Sequence, residues 1–314
     1  MSSQPEPIFL VWGGDLNRGW IGQMVVELLK QQGKNVHSTM TRMEEQSQVR
    51  AILDDIKPTH VINCAGKTGR PTVDWCESHQ VETMETNCLG VHIVTSECHK
   101  RDIHCTIVAT GCIYTSTYDP TMTTLLSPPF TESCTPNFAS SFYSATKAPI
   151  ESILAHYPNT LILRLRMPVS ADLSPRSFVT KILAYEHIVN IPNSHSILPS
   201  LLPIIIALAE HGEEGVYNFT NPGSISHNEV LELYKEIVDP SISWKNFTVE
   251  QQSRVIVAER SNCALDAGKL MGKVKQYQGE GVEVELPEVR EAYRRCFEVL
   301  KKGLGGVQQR GGAA

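Results

Sequence analysis

The sequence predicts an α/β fold, a doubly wound parallel sheet followed by a smaller C-terminal lobe. Three observations point there. Short apolar runs alternate with longer segments of helical periodicity through the first half of the chain. The first run, Ile8 to Trp12, ends in Gly13-Gly14 and opens onto Trp20 to Gln32, where Ile21, Val25, Leu28 and Leu29 recur at helical spacing. After Arg166-Met167-Pro168 the alternation loosens.

Taken in order, strand, glycine loop and helix are followed by a second strand over Asn35 to Met40 and a helix over Gln46 to Ile56. Pro58 stops that helix, and Thr59 to Cys64 reads as the third strand. One long helix is expected from about Cys76 to Asp102, then a strand over His104 to Thr110, a helix over Phe142 to His156 and a strand over Leu161 to Leu165. Helices near Ser177 to Tyr185, Leu201 to Glu210, His227 to Ile237 and Pro287 to Leu300 accompany apolar runs at His187 to Ile191 and Val216 to Phe219. Residues 1–166 are therefore expected to form the nucleotide-binding domain, with segments near 187–220 returning to it. Residues 167–300 make up most of the substrate lobe, and the Gly- and Gln-rich residues 301–314 read as a disordered tail.

Composition narrows the class. At 314 residues and 41% hydrophobic, the chain can bury a sizeable core. Its 28 basic residues are dispersed among 34 acidic ones for a formal charge of -6, which leaves no broad basic footprint for nucleic acid. Nine cysteines without C-x-x-C spacing fit a reducing compartment and no metal site. Residues 1–7 lack the pattern of a secretory leader, and no apolar stretch is long enough to span a membrane, so a soluble cytoplasmic protein is expected.

The glycine loop runs Gly13-Gly14-Asp15-Leu16-Asn17-Arg18-Gly19-Trp20-Ile21-Gly22 and sits where a pyrophosphate would meet a helix N-terminus. Five residues separate Gly13 from Gly19, a lengthened version of the usual spacing, while Gly19 and Gly22 keep its end. These glycines, the intervening Trp20 and Ile21, and Ala65 after the third strand are the expected cofactor-binding positions; the Trp20, Trp75 and Trp244 rings otherwise read as packing. The second strand ends Ser38-Thr39-Met40-Thr41-Arg42 with its first acid only at Glu44. Arg42 suits a 2′-phosphate, which favours NADPH over NADH; its plain alternative is a solvated arginine.

Tyr143 and Lys147, four apart at the start of a helix, are the one Tyr-x-x-x-Lys in the chain, and they follow Ala109-Thr110-Gly111 by one loop. This set resembles the extended short-chain dehydrogenase/reductase family. The resemblance implies that Tyr143 donates a proton to a carbonyl oxygen, that Lys147 lowers the phenol pKa and holds the nicotinamide ribose, and that Thr110 hydrogen-bonds the same oxygen. Cys112 is open to two readings, a small buried hydrophobe or an acid/base that exchanges protons near neutrality. Cys-Ile-Tyr after a strand-end hydroxyl resembles the sugar-nucleotide 3,5-epimerases, in which such a cysteine works with a downstream Lys or His. Lys181 is the expected partner and His187 the lesser one.

A broader resemblance runs from Gly19 to about Leu270. Gly69-Arg70-Pro71-Thr72-Val73-Asp74-Trp75-Cys76-Glu77-Ser78-His79, Val189-Asn190-Ile191-Pro192-Asn193-Ser194, Tyr217-Asn218-Phe219-Thr220-Asn221-Pro222-Gly223 and Arg260-Ser261-Asn262 are similar to the nucleotide-rhamnose synthase/epimerase-reductase family. That resemblance implies a Rossmann-type fold and conversion of UDP-4-keto-6-deoxy-D-glucose to UDP-L-rhamnose with NADPH, with a homodimer left open. Arg260 is then expected at the diphosphate, and Gly69, Arg70 and Asn193 at the sugar or nucleotide. Asn87 resembles the family's helix-perturbing asparagine, which positions the active-site lysine. A regulatory subunit that keeps NADP without catalysis, and a reductase in which Cys112 only packs, are the alternatives.

Overall fold

A computed structural model describes residues 6–15, 19–69 and 72–310, the last six without side chains. Six strands form the main sheet: β1 (Ile8–Trp12), β2 (Asn35–Thr39), β3 (His60–Asn63), β4 (His104–Thr110), β5 (Thr160–Leu165) and, later in the chain, β7 (Gly215–Asn218). Their order is β2-β1-β3-β4-β5-β7 and every neighbouring pair is parallel. Because β2 lies on one side of β1 and β3 on the other, the chain reverses direction across the sheet at β1. A crevice opens beyond the C-terminal ends of β1 and β3, the usual ligand position in such sheets.

Alternation along the strands supplies two faces. Phe9 and Val11 point to one side, where α1 (Trp20–Gln31), α8 (Leu198–Glu210) and α11 (Gly268–Gly279) cover them with Val25, Leu29, Leu201, Ile205, Leu270 and Val274. Leu10 and Trp12 point to the other, against α2 (Gln46–Ile56), α5 (Val91–His99) and α6 (Phe142–Leu154). A separate cluster joins α7 (Phe178–Leu183), α9 (His227–Ile237) and α12 (Val289–Arg310) through Val179, Ile182, Val230, Tyr293 and Phe297. The short strands β6 (His187–Ile188) and β8 (Lys245–Asn246) pair with each other, with α10 (Val249–Ser253) just after them.

Several expectations are corrected. The long helix from Cys76 to Asp102 is broken into α3 (Asp74–Ser78), α4 (Gln80–Met84), a π-helical turn over Glu85–Gly90, and α5. The wide turn carries Asn87, fully buried, to both backbone groups of Lys67: Lys67 N–H donates to Oδ1 at 2.8 Å and Nδ2 donates to the Lys67 carbonyl at 2.7 Å. Of the segments near 187–220, α8 and β7 pack on or join the main sheet, whereas β6 pairs with β8. The main sheet also takes α11, which the sequence reading missed because only Leu270, Val274 and Tyr277 of its twelve residues are buried. The backbone of α12 stays helical to Arg310, past the expected start of the tail at 301.

Candidate active site

The glycine loop folds back on itself. Gly13 takes φ +77°, and a Cβ there would lie 3.2 Å from Ala65 Cα, so the ends of β1 and β3 approach across the crevice. At Gly19 and Gly22 a Cβ would fall 1.6 and 2.2 Å from the Gly13 carbonyl oxygen, which seats the first turn of α1 directly on the loop. Gly14 is equally confined, its Cβ position lying 2.9 Å from Ser38 and Val26 side chains. The helix N-cap is Gly19, with no side chain capping it and no acid in the first turn, so its N–H groups face the crevice uncontested by the helix's own residues. This close backbone cradle fits a pyrophosphate. Trp20 opens α1 with its indole N–H buried and unpartnered; Ile21 packs beside it against the sheet. Residues 16–18, the lengthened part of the loop, lie outside the described residues.

Arg42 follows β2 at the crevice edge, three-quarters exposed, and meets Glu44 at 3.1 Å. An exposed single contact of this kind holds the guanidinium only weakly and leaves it able to turn to an anion.

Thr110 ends β4, and two residues on the Cys112 N–H donates to its hydroxyl at 3.1 Å. Helix α6 then delivers the other groups. Ser141 caps it, accepting from the Ser144 N–H, and the Ser144 hydroxyl donates to the Cys112 carbonyl at 2.5 Å, tying the helix start to the turn after β4. Glu77 of α3 accepts from the Phe142 N–H at 2.8 Å and fixes the same end. As a result the Tyr143 phenol faces the Thr110 hydroxyl, and the Lys147 amine lies 5.9 Å from the Tyr143 ring centre. Thr110, Lys147 and Asn87 line one small void.

Burial dominates the charges in this group. Burial pushes the Tyr143 phenol up, the Cys112 charge adds to that, and the Thr110 hydrogen bond opposes it. Lys147 is buried beside the ring, and burial pushes its amine down. On balance Tyr143 is held protonated, as a proton donor requires.

Lys181 projects from α7, half-buried, and burial followed by the charges of Arg176 and Arg260 pushes its amine down. Arg260 donates from both arms of its fork to Asp74, at 2.7 and 3.0 Å, and to the Ala258 carbonyl. Burial alone would raise the Asp74 carboxyl, but these bonds outweigh it and hold it at about 2. Expected at the diphosphate, Arg260 is thus spent first on Asp74. Gly69 has φ +74°, and a Cβ there would fall 2.4 Å from the Thr72 carbonyl, so its place in the chain is required by a tight turn. Arg70 lies outside the described residues. Asn193 is fully buried, its Oδ1 accepting from Arg166 at 2.6 Å and from the Cys263 N–H at 2.9 Å, which puts it behind the site rather than on its wall. His187 is exposed, in the strand that pairs with β8.

The residue that sequence reading missed is Arg166. It is 1% exposed and its Nη1 donates to Cys112 Sγ at 3.1 Å. The signal was present: Arg164 and Arg166 stand at alternate positions of an otherwise apolar central strand, and arginine is rarely buried without a specific partner.

Among the described residues no helix is long and apolar enough to cross a membrane, and no cluster of His, Cys, Asp or Glu is arranged to hold a metal.

Comparison with known proteins agrees with this architecture. Residues 9–188 match the RmlD substrate-binding domain family. The chain is 48% identical over 86% of its length, and 88% of the relative's, to a bifunctional dTDP-4-dehydrorhamnose 3,5-epimerase/dTDP-4-dehydrorhamnose reductase of Arabidopsis thaliana. It is 45% identical to a trifunctional UDP-glucose 4,6-dehydratase/UDP-4-keto-6-deoxy-D-glucose 3,5-epimerase/UDP-4-keto-L-rhamnose-reductase of the same plant, spanning 39% of that protein. Among solved structures, a UDP-rhamnose synthase of Acanthamoeba polyphaga mimivirus superposes with a TM-score of 0.84 at 35% identity, over 94% of this chain and 99% of the other. A dTDP-4-dehydrorhamnose reductase of Bacillus anthracis, solved with NADP, shares the fold at a TM-score of 0.76 and 18% identity, over 93% and 99% of the two chains. In agreement with its sheet order, glycine cradle and Thr-Tyr-Lys set, the chain belongs to the RmlD substrate-binding domain family, a branch of the extended short-chain dehydrogenase/reductase enzymes.

Proposed function

We propose that the chain is a 3,5-epimerase and NADPH-dependent 4-ketoreductase that converts UDP-4-keto-6-deoxy-D-glucose to UDP-L-rhamnose. The observation that carries this reading is a thiol placed beside the Thr110-Tyr143 pair at the end of β4, where a reductase alone needs no carbon acid/base. The names and identities of the relatives support it.

The chemistry follows from one ketone held once. The C3 and C5 protons are acidic because they flank the C4 carbonyl, and removing either places negative charge on O4. Thr110 and Tyr143 are hydrogen-bond donors for that oxygen, an oxyanion hole worth several kcal/mol at a preorganised site. Cys112 and Lys181 exchange the carbon-bound protons from opposite faces. When bound, NADPH would supply the hydride for C4; Gly13, Gly14, Gly19 and Gly22 would hold its pyrophosphate, Arg42 its 2′-phosphate and Lys147 its ribose. Tyr143 then gives O4 its proton. Arg176 and Arg260, whose charges reach Lys181, lie on the side of the site where the sugar's diphosphate would follow.

The test is turnover of UDP- and dTDP-4-keto-6-deoxyglucose in deuterated water, with NADPH against NADH, and NMR of the product. Deuterium at C3 and C5 of an L-rhamnosyl product is expected, with UDP and NADPH preferred. Oxidation of NADPH with no label at either carbon reduces the reading to a ketoreductase. Cys112→Ala is expected to abolish the labelling while some ketone reduction persists.

A further inference from the structure

Two arginines sit on the same face at the end of β5, and they are balanced differently. Arg164 is paired with Glu151, its Nε and Nη2 donating to one carboxylate oxygen at 2.9 and 2.6 Å, both residues buried. Arg166, two residues on, has no carboxylate within contact among the described residues. Its guanidinium is held by neutral acceptors: the Ser261 hydroxyl at 2.8 Å, the Ser261 carbonyl at 3.0 Å and Asn193 Oδ1 at 2.6 Å. The remaining contact is Cys112 Sγ at 3.1 Å. The titratable groups that face it are Cys112, Cys263, Tyr118, Tyr143, His195 and His227, and burial drives both histidines to their neutral forms.

A cation taken out of water without a counter-charge costs several kcal/mol. Six groups face Arg166, and only an acid can offset that cost by ionising. Cys263 and the two tyrosines are pushed up by burial, whereas Cys112 touches the guanidinium directly and is partly exposed. The local backbone is shaped for this contact. A Cβ at Gly111 would lie 3.0 Å from both Cγ and Cδ of Arg166, so the glycine between Thr110 and Cys112 lets the arginine stem pass under the turn.

We propose that Arg166 is a positioning residue that keeps Cys112 as a thiolate in the resting protein, so that Cys112 enters the epimerisation as the base and Lys181 as the acid. The inference rests on the reading of Cys112 as a carbon acid/base. The thiolate takes the C3 or C5 proton and becomes a thiol, while the C–H electron pair moves to O4 as an enolate. The Lys181 ammonium returns a proton to the opposite face of that carbon and becomes an amine. Exchange of one proton from thiol to amine through solvent restores both, which is how deuterium would enter.

The test reads the thiol directly. Iodoacetamide alkylation of Cys112 is followed against pH in the full-length wild-type protein by peptide mass spectrometry, with ultraviolet thiolate absorbance against Cys112→Ala as a second readout. Wild-type Cys112 is expected to react near its full rate at pH 6.5, where an ordinary thiol of pKa near 8.5 is only about 1% ionised. Arg166→Met is expected to slow alkylation at that pH at least about tenfold and to shift the rate profile upward. Arg166→Lys, which keeps the charge, retains most of it. A wild-type profile centred in the ordinary thiol range overturns the proposal whether or not any variant folds, as does a folded Arg166→Met with an unchanged profile. A thiolate at Cys112 together with no deuterium in the product sinks the epimerase reading, and with it the base and acid roles, and leaves only the hold of Arg166 on the thiolate standing. Label without a thiolate does the reverse.

Discussion

In the proposed reaction Tyr143 acts as a donor because of its neighbours rather than its own chemistry. Burial keeps the phenol protonated, the Thr110 hydroxyl faces it, and Lys147, buried four residues on, approaches the ring. Tyr143→Phe removes the proton without disturbing the packing and is expected to lower the rate of ketone reduction by about 10²- to 10⁴-fold, the usual worth of a positioned general acid. NADPH oxidation in the steady state checks this, and the labelling at C3 and C5 should fall less than the reduction, since Thr110 still donates to O4. These residue identities were legible beforehand. Tyr143 and Lys147 announce themselves by their spacing, and Thr110 and Cys112 by their place after a strand. Arg166 and the true surroundings of Asn193 were not, because their roles lie in contacts spanning 27 to 95 residues of chain.

At the scale of elements, the seat of α1 on the glycine loop is the join proposed to serve the cofactor. A methyl at Gly22 would overlap the Gly13 carbonyl, which is backbone and has no side-chain rotamer to move. Gly22→Ala is expected to cost about 1–3 kcal/mol of stability, typical of overpacking, and to weaken NADPH binding by displacing the helix N-terminus. Urea unfolding and fluorescence titration with NADPH measure the two effects separately. The π-helical turn belongs to the same scale. Periodicity alone extends one helix from Cys76 to Asp102, since π and α turns look alike in a hydrophobic pattern. Only the pairing of Asn87 with Lys67, twenty residues away, reveals that the turn is widened.

The whole molecule carries a pH dependence that its buried histidines set. Burial brings His227 down to about 4, and His60 likewise, with His195 also displaced well downward. Below pH 6.5 the unfolded chain binds protons that the native one refuses, so stability falls as pH drops from about 6.5 towards 4. For His227 alone the loss is about 1 kcal/mol by pH 5.5. The depressed carboxyls of Asp74 and Glu97, both at about 2, act lower: their contribution is complete above about pH 4.5 and fades as pH falls towards 2. Urea midpoints from pH 7.5 to 5 are expected to decline, and a folded His227→Gln variant to decline less steeply; a flat profile in wild type contradicts the neutral-histidine picture.

The sequence by itself determined the α/β class, the strands of the main sheet up to β5, the position of the glycine loop and four of the candidate side chains that the fold brings together. Each is a local matter of period, turn chemistry or spacing, and local patterns are written in consecutive residues. Tertiary structure alone decided which charges meet. It placed Arg260 on Asp74, set Lys147 over the Tyr143 ring, brought β7 and α11 back to the main sheet and laid Arg166 against Cys112. The strength and sign of such interactions depend on distance and desolvation, and the folded chain sets both.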